Sequence, residues 1–160
     1  MKIIKLGLIS IVIIFSIVTC MGLLLPSHVN ISRTIDINQS PESILPYVNS
    51  FFGWKKWVNA LAQTDIKNPN KIQFGKSSIN LYNSNKTQVN GAWIDADGKE
   101  QKTTIQLIEK DKITIVNWQF EYNVSWFPLD RFSSIVNDKV TGKMMEDNLA
   151  ALKILIESKQ

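Results

Sequence analysis

Hydrophobic and polar positions divide the chain into an apolar start, an alternating middle and a helical end. After Lys2 and Lys5, residues 6–25 form an unbroken apolar run of twenty residues in which only Ser10, Ser16, Thr19 and Cys20 are mildly polar. As a helix rising ~1.5 Å per residue, the run reaches about 30 Å, the thickness of a bilayer's hydrocarbon core. A cleaved signal peptide has an apolar stretch of roughly 7 to 15 residues ending in a small-x-small site. This run is longer and ends in no such site, so residues 1–26 read as an uncleaved signal anchor, with a cleaved signal peptide as the alternative. Both lysines precede the run, so the positive-inside rule keeps the N-terminus in the cytoplasm and places residues 27–160 outside it.

The middle alternates with period two. Val29, Ile31, Ile35 and Ile37 share one face of a half-buried strand, with Asn30, Ser32, Thr34, Asp36 and Asn38 on the other. Ser40 then stands as a helix N-cap before Pro41 at the first helical position, with Glu42 in the first turn. Pro46 limits or kinks that helix. A second short helical segment follows through Phe51, Phe52, Gly53, Trp54 and Trp57.

Short alternating runs broken by Asn, Asp, Gly and Lys predict an antiparallel meander, with strands near residues 72–74, 78–82, 89–94 and 103–109. The Asp95-Ala96-Asp97-Gly98 stretch is a hairpin turn, since its Gly comes too early for a calcium loop. The clearest strand runs from Ile113 to about Trp126. Val116, Trp118, Phe120, Tyr122, Val124 and Trp126 make a strongly aromatic face. Beyond Pro128, Asp130 is the expected cap of a long helix to about Glu157. Its single apolar stripe is Met145, Leu149, Leu152 and Ile156, at i, i+4, i+7 and i+11.

Composition narrows the function. The 160 residues fit one ordinary domain behind the anchor. Without Lys2 and Lys5 the chain carries 16 basic and 14 acidic side chains, scattered rather than clustered, which is no nucleic-acid footprint. Cys20 is the only cysteine, so no disulfide framework exists, and the residues before it make a poor lipoprotein box. With His28 the only histidine, an ordinary zinc site is excluded. Gly91 and Gly98 form no phosphate loop, and neither a metal nor a cofactor is expected.

Ser32-Arg33-Thr34-Ile35-Asp36-Ile37-Asn38 with Ser40-Pro41-Glu42, then Trp54-Lys55-Lys56-Trp57, resembles the opening of the START-like (SRPBCC) superfamily in its polyketide cyclase/dehydrase-like branch. Asp138-Lys139-Val140-Thr141-Gly142 leading into Leu149-Ala150-Ala151-Leu152-Lys153 is similar to the closing helix of its membrane-anchored bacterial members. The resemblance implies an α+β helix-grip fold, in which a curved antiparallel sheet of five to six strands wraps the C-terminal helix around a hydrophobic cavity. Between Ala60 and Lys110 the meander is shorter and richer in Asn than the family pattern, which leaves a short or a missing strand open there.

No catalytic constellation stands out. Glu121, Asp130, Glu146 and Asp147 are the candidates for paired carboxylates, but Glu121 lies opposite the aromatic face and Asp130 has the capping role. The ligand-lining candidates are Trp118, Phe120 and Tyr122 on the aromatic strand, Trp93 on a neighbouring one, Trp54 and Trp57 closing one end, and Met145, Leu149 and Leu152 on the facing helix. Core packing is the competing role for every one of them. The favoured function is a membrane-tethered module binding a hydrophobic small molecule or lipid, held to the bilayer by residues 6–25. The alternatives are an interaction protein with a filled core and, less favoured, a cyclase- or dehydratase-type enzyme. A large apolar cavity, no cavity, or converging ionisable groups would separate the three.

Overall fold

The computed structural model describes residues 2–158. Helix α1 spans Lys2–Leu23 and, at ~1.5 Å per residue, is about 33 Å long. Its Ile and Leu side chains are exposed almost throughout, and it is long and apolar enough to cross a membrane. Strand β1 (His28–Ile37) follows, then α2 (Pro41–Val48), α3 (Phe51–Trp54) and a 3-10 turn at Asn59–Leu61. Five strands come next: β2 (Lys71–Phe74), β3 (Ser77–Ser84), β4 (Gln88–Ile94), β5 (Glu100–Lys110) and β6 (Ile113–Asn123). Helix α4 (Pro128–Glu157) closes the chain.

The six strands form one antiparallel sheet in the order β1-β6-β5-β4-β3-β2, an α+β helix-grip arrangement. Consecutive hairpins build β2 to β6, and β1 adds to the free edge of β6. The segment through α2 and α3 therefore crosses from one edge of the sheet to the other. No strand is missing from the Asn-rich stretch, although β2 has only four residues. At the β4–β5 turn, Asp95 Oδ1 accepts from the backbone N–H of Asp97 and of Lys99 (both 2.9 Å), and Gly98 adopts φ +78°, a left-handed conformation that favours glycine.

The inner faces of β1 and β6 lie opposite each other: Ile31 pairs with Phe120, Arg33 with Trp118 and Ile35 with Val116. Met145, Leu149, Leu152 and Ile156 of α4 are buried in the same core. Every residue of that buried apolar core lies from Ile31 onward, so the part following α1 holds its own core.

Three local expectations are corrected. Strand β6 ends at Asn123 rather than Trp126, because Asn123 pairs with His28, the first residue of β1, and the pairing gives out after one further backbone bond, from Val124 N–H to the Ser27 carbonyl. Trp126 is exposed, packed edge-on against Phe127. Asp130 does not cap α4; Phe127 holds the N-cap position, and Asp130, in the first turn, accepts a hydrogen bond from the Ser125 hydroxyl. Nor does α4 carry a single apolar stripe. Its first half exposes Leu129, Phe132, Val136 and Val140, at i, i+3, i+7 and i+11.

Candidate functional site

An apolar cavity of about 180 Å³ lies between the inner face of the sheet, the α3 segment and the flank of α4. Strand alternation sets its floor: Trp118 and Phe120 project from β6, Thr103 from β5, Trp93 from β4 and Ile79 from β3. Trp54, Val58 and Leu61 close one end, and Phe74 and Met144, both half-buried, stand with exposed Ala60 toward solvent.

The aromatic packing is tight and directional. Trp118 meets Trp54 and Trp57 edge-to-face, with ring centroids 5.5 and 5.6 Å apart and both pairs inclined at 74°. Trp54 meets Phe51 in the same way at 5.4 Å. A second pair, Trp93 and Phe120 at 6.2 Å, flanks the opposite side. Such geometries set the positive ring edge against the negative ring face, and each contributes about 1 kcal/mol beyond burial.

All three buried indole N–H groups of this cluster are already used. Trp118 Nε1 donates to Thr103 Oγ1 (2.8 Å), Trp54 Nε1 to the Val48 carbonyl (2.7 Å) and Trp57 Nε1 to the Tyr47 carbonyl (2.8 Å). The last two satisfy carbonyls at the C-terminus of α2 that the helix itself leaves open. Among the described residues, Thr103 is the only polar one on the wall, and no ionisable side chain lines it. The cavity can therefore select by shape and apolarity.

The sequence-predicted residues divide accordingly. Trp54, Trp93, Trp118 and Phe120 line the cavity. Trp57 stands behind Trp54 and Trp118. Met145, Leu149 and Leu152 are fully buried in the core and do not reach the cavity, whose helical wall is Met144. Val58, Leu61, Phe74, Ile79 and Thr103 also line it. Of these, Phe74, Ile79 and Thr103 had a usable signal, from strand alternation. The carboxylates lie elsewhere: Glu146 pairs with Arg33 (2.7 Å), Asp147 with Lys143, and Asp130 with Ser125.

Tyr122 faces a separate polar pocket of about 170 Å³, bordered by Asp95 and Lys99 of the β4–β5 turn and by Ser133 and Asn137 of α4. Its hydroxyl oxygen is buried with no hydrogen-bond partner among the described residues. Burial first, and the charge of Asp138 second, push the phenol above its ordinary value of 10.0. The unfolded chain ionises first as pH rises, so the contribution to stability is full below pH about 10 and is lost through the higher folded-state value. Urea titrations above pH 10 should show a steeper loss of stability in the native protein than in Tyr122→Phe. Equal slopes would mean that Tyr122 titrates freely in the fold.

No protein-family model matches the chain, and no curated protein matches it. Its fold is nevertheless similar to solved structures. DynU16, a protein in the dynemicin biosynthetic locus, aligns with a TM-score of 0.60 and 11% identity over 82% of this chain and 48% of its own. The di-domain ARO/CYC protein StfQ from the steffimycin biosynthetic pathway gives 0.61 and 9%, over 82% and 51%. The Aha1 dimer from Colwellia psychrerythraea gives 0.58 and 20%, over 81% and 96%. The chain thus spans about half the length of DynU16 and StfQ. At these identities the likeness shows a shared fold, and the site must carry any argument about function.

Proposed function

We propose that this chain is a membrane-tethered binding module of the polyketide cyclase/dehydrase-like branch, with α1 as its anchor and the domain of residues 27–160 held outside the cytoplasm. Its cavity takes a small, wholly apolar molecule. The observation that carries the reading is the cavity wall: five strands, α3, the 3-10 turn and α4 converge on about 180 Å³ with every buried indole N–H of the aromatic cluster already bonded. An apolar cavity of about 150 Å³ in a protein core takes up benzene, whereas drug-sized ligands need roughly 300 Å³ or more. The volume therefore favours one small ring, or the end of an acyl chain, over a whole lipid or a fused polycycle. Unfilled core volume costs about 24 cal/mol per Å³, so a gap of this size forfeits about 4 kcal/mol of contact that an occupant can restore.

The competing readings fit the wall less well. A cyclase or dehydratase needs an acid or base at the reacting atoms, and none borders this cavity. A filled-core interaction protein would have no cavity. The test uses residues 27–160, which contain the entire core, with fluorobenzene as the probe. Its fluorine resonance should broaden in the presence of the protein. At ten times the dissociation constant it should stabilise the fold by about 1.4 kcal/mol, a rise in Tm of about 4 °C. Both effects should vanish in Met144→Trp, where an indole at the mouth occupies the space. If the native protein neither broadens the resonance nor gains stability, the binding reading fails and the interaction protein takes its place.

A further inference from the structure

The first half of α4 inverts the ordinary rule for an amphipathic helix. Its buried face there carries Arg131, Ser134 and Gly142, while its exposed face carries Leu129 (65% exposed), Phe132, Val136 (61%) and Val140 (65%). Exposed Trp126 and Phe127 extend the apolar surface at its start. A solvated helix places these residue types the other way round, and a contiguous exposed patch of this kind marks an interface.

The position of the patch says what covers it. Gly22, in the last turn of α1, packs directly on the first residue of α4; a Cβ there would lie 3.2 Å from Pro128 Cα. Arg131 Nη1 donates to the Leu25 carbonyl just beyond α1, and its Nε donates to the Ser125 carbonyl just before α4 (both 2.6 Å). Two contacts thus pin the start of α4 to the end of the apolar helix, the depth at which hydrocarbon gives way to headgroups. Leu129 and Phe132 sit within that first turn or so, since the helix rises ~1.5 Å per residue and the headgroup layer is about 5–8 Å thick on each side. Trp126, with an apolar ring and a polar N–H, is the residue type that membrane–water boundaries favour.

We infer that the start of α4, through Trp126, Phe127, Leu129 and Phe132, is seated in the interfacial layer of the same bilayer that α1 spans. The inference rests on the reading of α1 as a membrane-spanning helix. Seating this surface makes the domain a fixed rider on the membrane rather than a body swinging on residues 24–27. Along α4 the same i+4 row runs from Phe132 through Val136 and Val140 to Met144 at the cavity mouth, so the seated surface leads toward the cavity.

The test uses the full-length chain in vesicles of phosphatidylcholine with a minor share of phosphatidylglycerol, with nitroxide labels on single cysteines. Leu129→Cys, Phe132→Cys and Ile154→Cys are made with Cys20→Ser; a fourth sample labels native Cys20. Ile154 is exposed near the far end of α4 and serves as the aqueous reference. Labels at 129 and 132 should lose accessibility to an aqueous nickel chelate and gain it to oxygen, relative to 154. If 129 and 132 are as accessible to nickel as 154 while Cys20 is shielded, the helix spans but the seating is wrong. If Cys20 is itself open to nickel, the spanning reading fails first, and the seating with it. Shielding at 129 and 132 accompanied by spin–spin broadening that dilution with unlabelled chain abolishes would assign the surface to a second copy and overturn the membrane assignment.

Discussion

Trp118→Ala should lower the unfolding free energy of residues 27–160 by about 4 kcal/mol, the range typical of a large aromatic removed from a packed core. Trp118 is 3% exposed and lies where three sets of contacts meet. Its ring supports Trp54 and Trp57 edge-on, its N–H satisfies the buried Thr103 hydroxyl, and its other side forms cavity wall. Truncation removes all three and enlarges a cavity that already exists, so collapse of the surroundings recovers little. The readout is the urea midpoint, which should fall with the slope unchanged. Trp118→Phe should cost less, since most of the apolar ring remains, but it leaves the Thr103 hydroxyl without its donor, a loss of about 1–2 kcal/mol. Added indole should restore part of the loss in Trp118→Ala and none in Trp118→Phe, because only the former leaves an indole-sized space. A loss below about 1 kcal/mol in Trp118→Ala would mean that the aromatic cluster is not what holds the α3 segment to the sheet.

Trp118 was legible because β6 has one buried and one wetter face. Hydrophobic alternation is strongest in such antiparallel strands, and it marked Val116, Trp118 and Phe120 without ambiguity. The same alternation misled at its end, since Val124 and Trp126 continue the pattern. What terminates β6 is the position where β1 begins, a tertiary fact that no local window contains. Helix α4 shows a related limit. Met145, Leu149, Leu152 and Ile156 on one side, and Leu129, Phe132, Val136 and Val140 on the other, both follow helical spacing. Which stripe faces the sheet is decided by Arg131, Ser134 and Gly142, whose polarity or small size conceals a buried face. The cavity wall was half legible for a similar reason. Its strand residues followed from alternation, but Met144 lies on the flank of α4, about 100° around from Met145, and a search for the centre of the stripe passes over it.

Gly53→Ala should be the most damaging of the small substitutions, costing about 3 kcal/mol and lowering Tm by roughly 10 °C. The reason is contact rather than backbone conformation. A Cβ at residue 53 would fall 2.5 Å from the Pro46 carbonyl oxygen and 2.6 Å from that of Tyr47, and both are backbone atoms that no rotamer change can move. Relief requires α3 to back away from the C-terminus of α2. That movement would stretch two indole hydrogen bonds, Trp54 to Val48 and Trp57 to Tyr47, which tie α3 and the residues after it to that terminus. Trp54 is also cavity wall, so the variant should lose fluorobenzene binding as well as stability, although no atom of residue 53 borders the cavity. Gly142→Ala is the matched control. The three atoms nearest its Cβ would all belong to the Arg33 guanidinium, the far end of a flexible side chain that can swing off Glu146 and the Ser32 carbonyl into solvent. A partly exposed ion pair contributes about 1 kcal/mol or less, and Ala gains about 1 kcal/mol over Gly inside a helix, so the net change should be close to zero. Calorimetry on the two variants compares a backbone clash with a side-chain one at equal added volume. If Gly53→Ala melted within about 2 °C of Gly142→Ala, the close approach of α3 to α2 would not be structural, and the route from that contact to the cavity would fall with it.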